Sequence, residues 1–371
     1  MMIRLPRQKY MHHVLSVATD ISALQQILAR GLPSLLLLSD RIILFPEHKE
    51  IPITQKQAAE LSQCSNYDVL EISDNCMAFL YYNNRSKDNA IITTGKCNSN
   101  CLMCPTSTNA RESGISAQIS HLLDIVRHLP SDAPHMTITG GEPFLIGKDI
   151  FLLFDALKNH MPNTNFLLLT NGRVFCKKEY CESLEKTLPP HTVIGIPLHG
   201  YNQDTHDAIT QAPGSFLQTY NGIHNLMKRT FLVEIRLVVS RLSANNLDRI
   251  AELITMEFPQ VFSVKILGLE MLGSAAHHQD RVWIPYQQAF DCAKPAIDRL
   301  IEKGINVALY NFPLCSVNEA YWHLCYHSIT DFKVRYPEEC ETCAMKGACG
   351  GIFAGTYRLA KGDIRVFLQE R

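Results

Sequence analysis

The chain has almost no charge bias. Lys and Arg number 35 against 36 Asp and Glu, a net charge of −1 over 371 residues. That argues against a partner bound through bulk phosphate, and so against nucleic acid, because such proteins carry an excess of cations. Long apolar runs are also missing. The opening "MMIRLPRQKYMHHVLS" lacks the apolar core of a signal peptide. The most apolar early stretch, "LPSLLLLSDRIILFP", is broken by Asp40 and Arg41 into halves too short for a bilayer. No repeat of the solenoid kind is present. Charged residues make up 19% and hydrophobic ones 46%, which excludes a disordered chain. The expectation is a globular cytoplasmic protein with no membrane segment.

What the chain does have is 13 cysteines. In a reducing compartment clustered cysteines read as metal ligands or catalytic thiols rather than disulfides. Cys97, Cys101 and Cys104 stand at spacing C-x3-C-x2-C in "TTGKCNSNCLMCPTS", and Cys315, Cys325, Cys340, Cys343 and Cys349 form a second group. The others, Cys64, Cys76, Cys176, Cys181 and Cys292, are scattered and read as plain thiols, which behave as small hydrophobes.

Residues 1–88 hold short apolar runs of β character, such as "SLLLLSD" and "CMAFLYYN", and no catalytic constellation; the polar "YNNRSKDN" marks their end. From "AIITTGKC" onward the pattern is strand, loop, helix, repeated. "HMTITGGEP", "NFLLLTNG", "TVIGIPLHG", "FLVEIRLVVS" and "FSVKILGLE" are strands, and segments such as "IFLLFDALKNHM" between them are helices. Strands alternating with helices at this spacing predict βαβ units and a parallel sheet. With the strand entering Cys97 the count is six, short of the eight of a closed barrel. The predicted fold is α/β, a partial (β/α)6 barrel over 89–275, with an N-terminal extension over 1–88 and a small Cys-rich module over 276–371. Function in such folds sits at the carboxyl ends of the strands. The Cys loop, "GGEP", "TNG", "LHGYN" and "GLEMLGSA" all fall there.

Structural zinc takes four closed ligands, commonly paired C-x2-C units. The first group offers three thiols and no nearby fourth ligand. Thiolates also take iron–sulfur clusters, and a [4Fe–4S] cube held by three cysteines keeps one iron open for a substrate or cosubstrate. In "TGGEP" (Thr139 to Pro143) two glycines allow close approach of the backbone, and the Glu142 carboxylate can accept from an ammonium.

C-x3-C-x2-C after the first strand of a partial barrel resembles the radical S-adenosylmethionine (SAM) superfamily. The resemblance implies that Cys97, Cys101 and Cys104 hold a [4Fe–4S] cluster whose open iron binds SAM. One electron from an external reductant then yields a 5′-deoxyadenosyl radical that takes a hydrogen atom from substrate. It implies that Gly140, Gly141, Glu142 and Pro143 hold the SAM amino group, and that Asn171, His199 and Arg236 lie near its ribose and carboxylate. The residue before the third Cys, often aromatic and packed on adenine, is here Met103, whose thioether makes a similar soft contact.

The ending "CETCAMKGACGG" resembles part of the auxiliary-cluster (SPASM/twitch) module of peptide-modifying radical SAM enzymes. A fuller version has another Cys four positions after Cys349, where this chain has Phe353. Cys315, Cys340, Cys343 and Cys349 are the expected ligands of one auxiliary [4Fe–4S] cluster, with Cys325 in reserve for Cys315 and zinc as the alternative occupant. The whole arrangement is most similar to the C-type radical SAM maturase of the His-Xaa-Ser repeat peptide system. That likeness implies a ribosomally made precursor peptide as substrate and a second radical SAM protein as partner. Two other readings stay open: a small-molecule radical SAM enzyme of the molybdopterin- or queuosine-precursor type, and a zinc-binding interaction protein.

Overall fold

The computed structural model describes residues 2–368. The N-terminal extension forms a seven-stranded sheet in the order Met2–Arg4, Met77–Tyr82, Val69–Ile72, Val14–Ala18, Ser34–Leu37, Arg41–Phe45, Lys49–Pro52. Its one parallel pair, Val14–Ala18 with Ser34–Leu37, is joined by the helix Ile21–Ala29, because parallel neighbours need a crossover. Asp20 starts that helix by accepting from the Ala23 N–H at 2.8 Å. The sheet has its own apolar cores, around Leu35, Ile42 and Leu70 and around Leu24 and Ile27. Polar links join it to the next unit: Ser16 meets His128 at 2.9 Å, and His121 meets Glu71 at 3.0 Å.

The second sheet is parallel throughout and open at both edges. Its strands are β1 (Ala90–Ile92), β2 (His135–Thr139), β3 (Asn165–Leu169), β4 (Thr192–Pro197), β5 (Leu232–Val238), β6 (Ser263–Leu267), β7 (Val307–Tyr310) and β8 (Cys325–Tyr326), paired in that order. Helices cover one face. In Asp149–His160 the buried Ile150, Leu153, Phe154 and Leu157 fall at i, i+3, i+4, i+7, which aims one stripe at the strands. The result is the α/β partial barrel expected from the alternation of patterns.

The first six strands are those read from the sequence; the sheet then runs on past residue 275. The helix Tyr286–Glu302 and the strand β7 make a seventh helix–strand unit, and the two-residue β8 joins its edge. "VALY" and "CY" are too short to show a period, and they lie in a stretch where the cysteines dominate. Beyond β8 the chain is mostly single turns, with one short antiparallel pair, Val334–Arg335 with Ile352–Phe353. No helix among the described residues is long and apolar enough to cross a membrane.

Candidate active site

The three-cysteine loop comes directly after β1 and is fixed from five directions. On the β2 side, Gly141 N–H donates to the Thr94 carbonyl and Glu142 N–H to that of Lys96, both at 2.8 Å. A Cβ at Gly141 would come 2.2 Å from the Lys96 oxygen, and one at Gly140 2.5 Å from the Thr94 oxygen. The glycine pair therefore lets two loops lie against each other. That use of glycine is distinct from the close ligand approach expected from the sequence, though it permits both. The carbonyls of Gly140 and Gly141 accept no hydrogen bond among the described residues.

From the β3 side, Asn171 Nδ2 donates to Asn98 Oδ1 at 2.6 Å, and Arg173 donates to the Asn98 carbonyl and to Ser99 Oγ. The end of the helix Gln203–Thr210 takes the Asn100 and Leu102 N–H groups on the Thr210 and Ile209 carbonyls. From the segment after β6, Ala275 N–H donates to the Cys104 carbonyl at 3.1 Å. Finally, Arg111, on the short helix Thr108–Glu112, donates to the Cys101 carbonyl and to Asn100 Oδ1. A loop held this way presents its thiols with little freedom, which is what a preorganised ligand set requires.

The thiols lie close enough to influence one another. Burial pushes Cys101 up to about 12, the neighbouring Cys104 and Cys97 add to the rise, and Arg111 opposes it. Burial also raises Cys97, with the Ser99 N–H opposing and Glu142 adding. Such thiols lose their protons to a bound metal rather than to water. A structural zinc takes four donors closed around one point, whereas a cluster gives each thiolate an iron of its own. Three thiols on a pinned loop fit the latter.

Glu142 is 2% exposed. Its carboxylate accepts from Phe144 N–H at 3.2 Å, Thr170 Oγ1 at 2.8 Å and Asn171 N–H at 2.7 Å. Burial nevertheless raises its pKa, the three hydrogen bonds opposing. The side chain ties the β2 loop to the β3 loop from inside. Pro143 continues from it into a single 3-10 turn. Met103 is buried in the main apolar core. His199 is buried at the end of β4, and burial together with His206 brings it down to about 3; its Nδ1 has no hydrogen-bond partner among the described residues. Arg236 points into the barrel, where it pairs with Glu234 at 2.7 Å. Sequence reasoning misses Arg111 and Arg173. The signal for both was their place, a cation within ten residues of a Cys loop or directly after "TNG".

The barrel interior holds an open cavity of about 540 Å³, lined by Thr137, Glu234, Arg236 and Tyr310 on the strands and by Lys333 and Phe353 from the C-terminal segment. Lys333 is anchored there by Glu270 at 3.0 Å. In that segment Cys315, Cys340, Cys343 and Cys349 line one small apolar pocket, and Cys325 is not among its walls. The Cys349 sulfur accepts from the N–H groups of Leu314 and Gly351, both at 3.4 Å. Burial, and then the neighbouring thiols, push Cys340 up to about 11.

The chain thus folds as an open parallel α/β barrel with a pinned thiol loop at the carboxyl end of its first strand. Residues 91–254, which include Cys97, Cys101, Cys104, Glu142 and Arg173, match the family model of the Radical SAM superfamily. Among curated proteins, the AdoMet-dependent heme synthase of Methanosarcina barkeri is 29% identical over 163 residues, 43% of this chain and 44% of the relative. The match thus spans less than half of that relative's length. Among solved structures, Streptococcus suis SuiB bound to S-adenosylmethionine aligns with TM-score 0.46 and 14% identity over 68% of this chain and 52% of that one. Coproporphyrinogen III oxidase (HemN) from Escherichia coli aligns with TM-score 0.41 and 15% identity over 58% and 52%.

Proposed function

We propose that the protein is a radical SAM enzyme that modifies a ribosomally made peptide of the His-Xaa-Ser repeat type. The observation that carries the radical SAM part is the loop of Cys97, Cys101 and Cys104, fixed by neighbouring βα loops inside the stretch that matches the superfamily. When bound, the cluster and SAM supply a radical able to abstract hydrogen, chemistry no side chain performs unaided. The chain's own residues do the rest. Arg173, Asn171 and the glycine pair hold the thiols in place. Glu142 braces the β2 loop so that the carbonyls of Gly140 and Gly141 are available to an ammonium group.

The peptide part is supported by the cavity that barrel and C-terminal segment share, and by the separate four-thiol pocket of that segment, which suits an auxiliary [4Fe–4S] cluster or a zinc ion. A precursor peptide, a one-electron reductant and a second radical SAM protein are the proposed partners, in the reducing cytoplasm. A small-molecule substrate is the second reading, favoured by the heme-synthase name of the curated relative.

The test is iron and sulfide content with electron paramagnetic resonance on anaerobically reconstituted protein, beside the Cys97/Cys101/Cys104 triple Ala variant. About eight irons per chain falling to about four supports two clusters. About four irons and one zinc makes the C-terminal site structural. No iron in the wild type overturns the proposal. Formation of 5′-deoxyadenosine that rises with a His-Xaa-Ser peptide, with a mass change in that peptide, decides the substrate class.

A further inference from the structure

Arg111 is 4% exposed, and a guanidinium cannot shed its charge when buried. The expected compensation is a carboxylate. Among the described residues Arg111 has none within 4.0 Å: it is absent from the ion pairs, and its partners are all neutral. Nη1 donates to the Cys101 carbonyl at 3.3 Å; Nη2 donates to Asn100 Oδ1, to Thr108 Oγ1 at 3.3 Å and to Ser274 Oγ at 2.7 Å. Its Nε is buried with no partner. Elsewhere the chain pairs cations in the ordinary way, as with Arg236 and Glu234. The buried cation therefore lacks its anion, and the groups of the right sign nearby are the thiolates that Cys97 and Cys101 become on binding metal, Nη1 already lying on the Cys101 carbonyl.

We infer that Arg111 is the buried counter-cation of the centre held by Cys97, Cys101 and Cys104. It offsets the negative charge of the thiolate-bound cluster and raises its reduction potential, since the added electron enters a site already facing a fixed positive charge at low dielectric. Ser274 holds that charge in place from the segment after β6. Arg111 acts through the cluster and is a positioning residue.

The inference rests on the proposed cluster, and the experiment separates the two. Wild type, Arg111→Met, Arg111→Lys and Ser274→Asp are reconstituted anaerobically, and each is monitored by iron content, melting temperature and a redox titration read by electron paramagnetic resonance. The triple Ala variant assigns the signal. Arg111→Met is expected to shift the midpoint to more negative potential, while Arg111→Lys stays near the wild type. Ser274→Asp keeps the guanidinium but sets a carboxylate against it, and is expected to shift the midpoint in the same direction as Arg111→Met. A loaded Arg111→Met or Ser274→Asp protein with the wild-type midpoint overturns the inference. So does equal loss of melting temperature in the Met and Lys variants with no change in midpoint. Should Arg111→Met fail to fold, the Ser274→Asp midpoint alone decides. A wild type without iron would fail the proposed function itself, a different result from iron present at unaltered potential.

Discussion

Arg173 donates to Ser99 Oγ at 3.0 Å and also to the Asn98 carbonyl, so a cation from the third βα loop closes the turn between Cys97 and Cys101. Its Nε is held in turn by Gln218 at 2.7 Å. Hydrogen bonds from a charged donor are stronger than neutral ones, though solvent weakens them at this half-exposed side chain. Arg173→Met is therefore expected to loosen the loop more than the fold. The reconstituted variant should lose iron to a chelator several-fold faster than wild type while its melting temperature falls only slightly. Equal rates of iron loss would remove Arg173 from the support of the site.

Glu142 braces two loops from a fully buried position. Glu142→Ala leaves the N–H groups of Phe144 and Asn171 and the Thr170 hydroxyl without their acceptor, at about 1–3 kcal/mol for each buried donor left unmade. The expected loss is about 3 kcal/mol or more in urea unfolding. Glu142→Gln should lose less, because one amide oxygen can still accept from Thr170 and Phe144 while its NH2 faces the Asn171 N–H. A Gln variant as unstable as the Ala variant would show that charge matters more than shape.

The C-terminal pocket separates five thiols into four and one. Cys315→Ser is expected to reduce the metal bound by that segment, whether iron or zinc, and Cys325→Ser to leave it unchanged. Metal analysis of both purified variants checks this. Metal loss in the Cys325 variant alone would exchange the two assignments.

Much of the site was legible because its chemistry is local in sequence. The spacing of Cys97, Cys101 and Cys104, the "GGEP" turn and the placement of every unusual loop after a strand all came from short stretches. What pins the loop was not legible, since the partners of Asn98, Ser99 and Cys101 come from residues such as Arg173 and Arg111, whose sequence context is ordinary. Arg236 shows the converse case. Its place on β5 was readable, but its pairing with Glu234 two positions earlier needed the pleat, which puts residues i and i+2 on one face. Likewise β7 and β8 needed the sheet edge itself, because four- and two-residue strands show no periodicity.

Three buried histidines set the acid limit. Burial brings His128 and His206 down to about 4, and His199 to about 3, from the ordinary 6.5. Below about 6.5 the unfolded chain takes up protons that the folded chain refuses, so stability is complete above that pH and is lost as pH falls. The slope is about 1.4 kcal/mol per pH unit for each ring, continuing until each folded-state value is reached. His128→Asn, which can keep the contact to Ser16, should shallow the decline between pH 6 and about 4 by roughly one ring's share. Urea midpoints measured across that range test it; an unchanged slope would place the acid sensitivity elsewhere.

The stretch that resembles other proteins is not the stretch that can stand alone. The family match ends at residue 254, yet Ala275 caps the Cys104 carbonyl and Ser274 steadies Arg111. The strands β6 to β8 and the helix Tyr286–Glu302 also close the apolar interior behind them. Trimming the chain to its recognisable portion would strip β5 of its neighbour and expose a raw sheet edge. The thiol loop would lose two of its supports at the same time. The recognisable portion carries the ligands, but their rigidity is supplied from beyond its end.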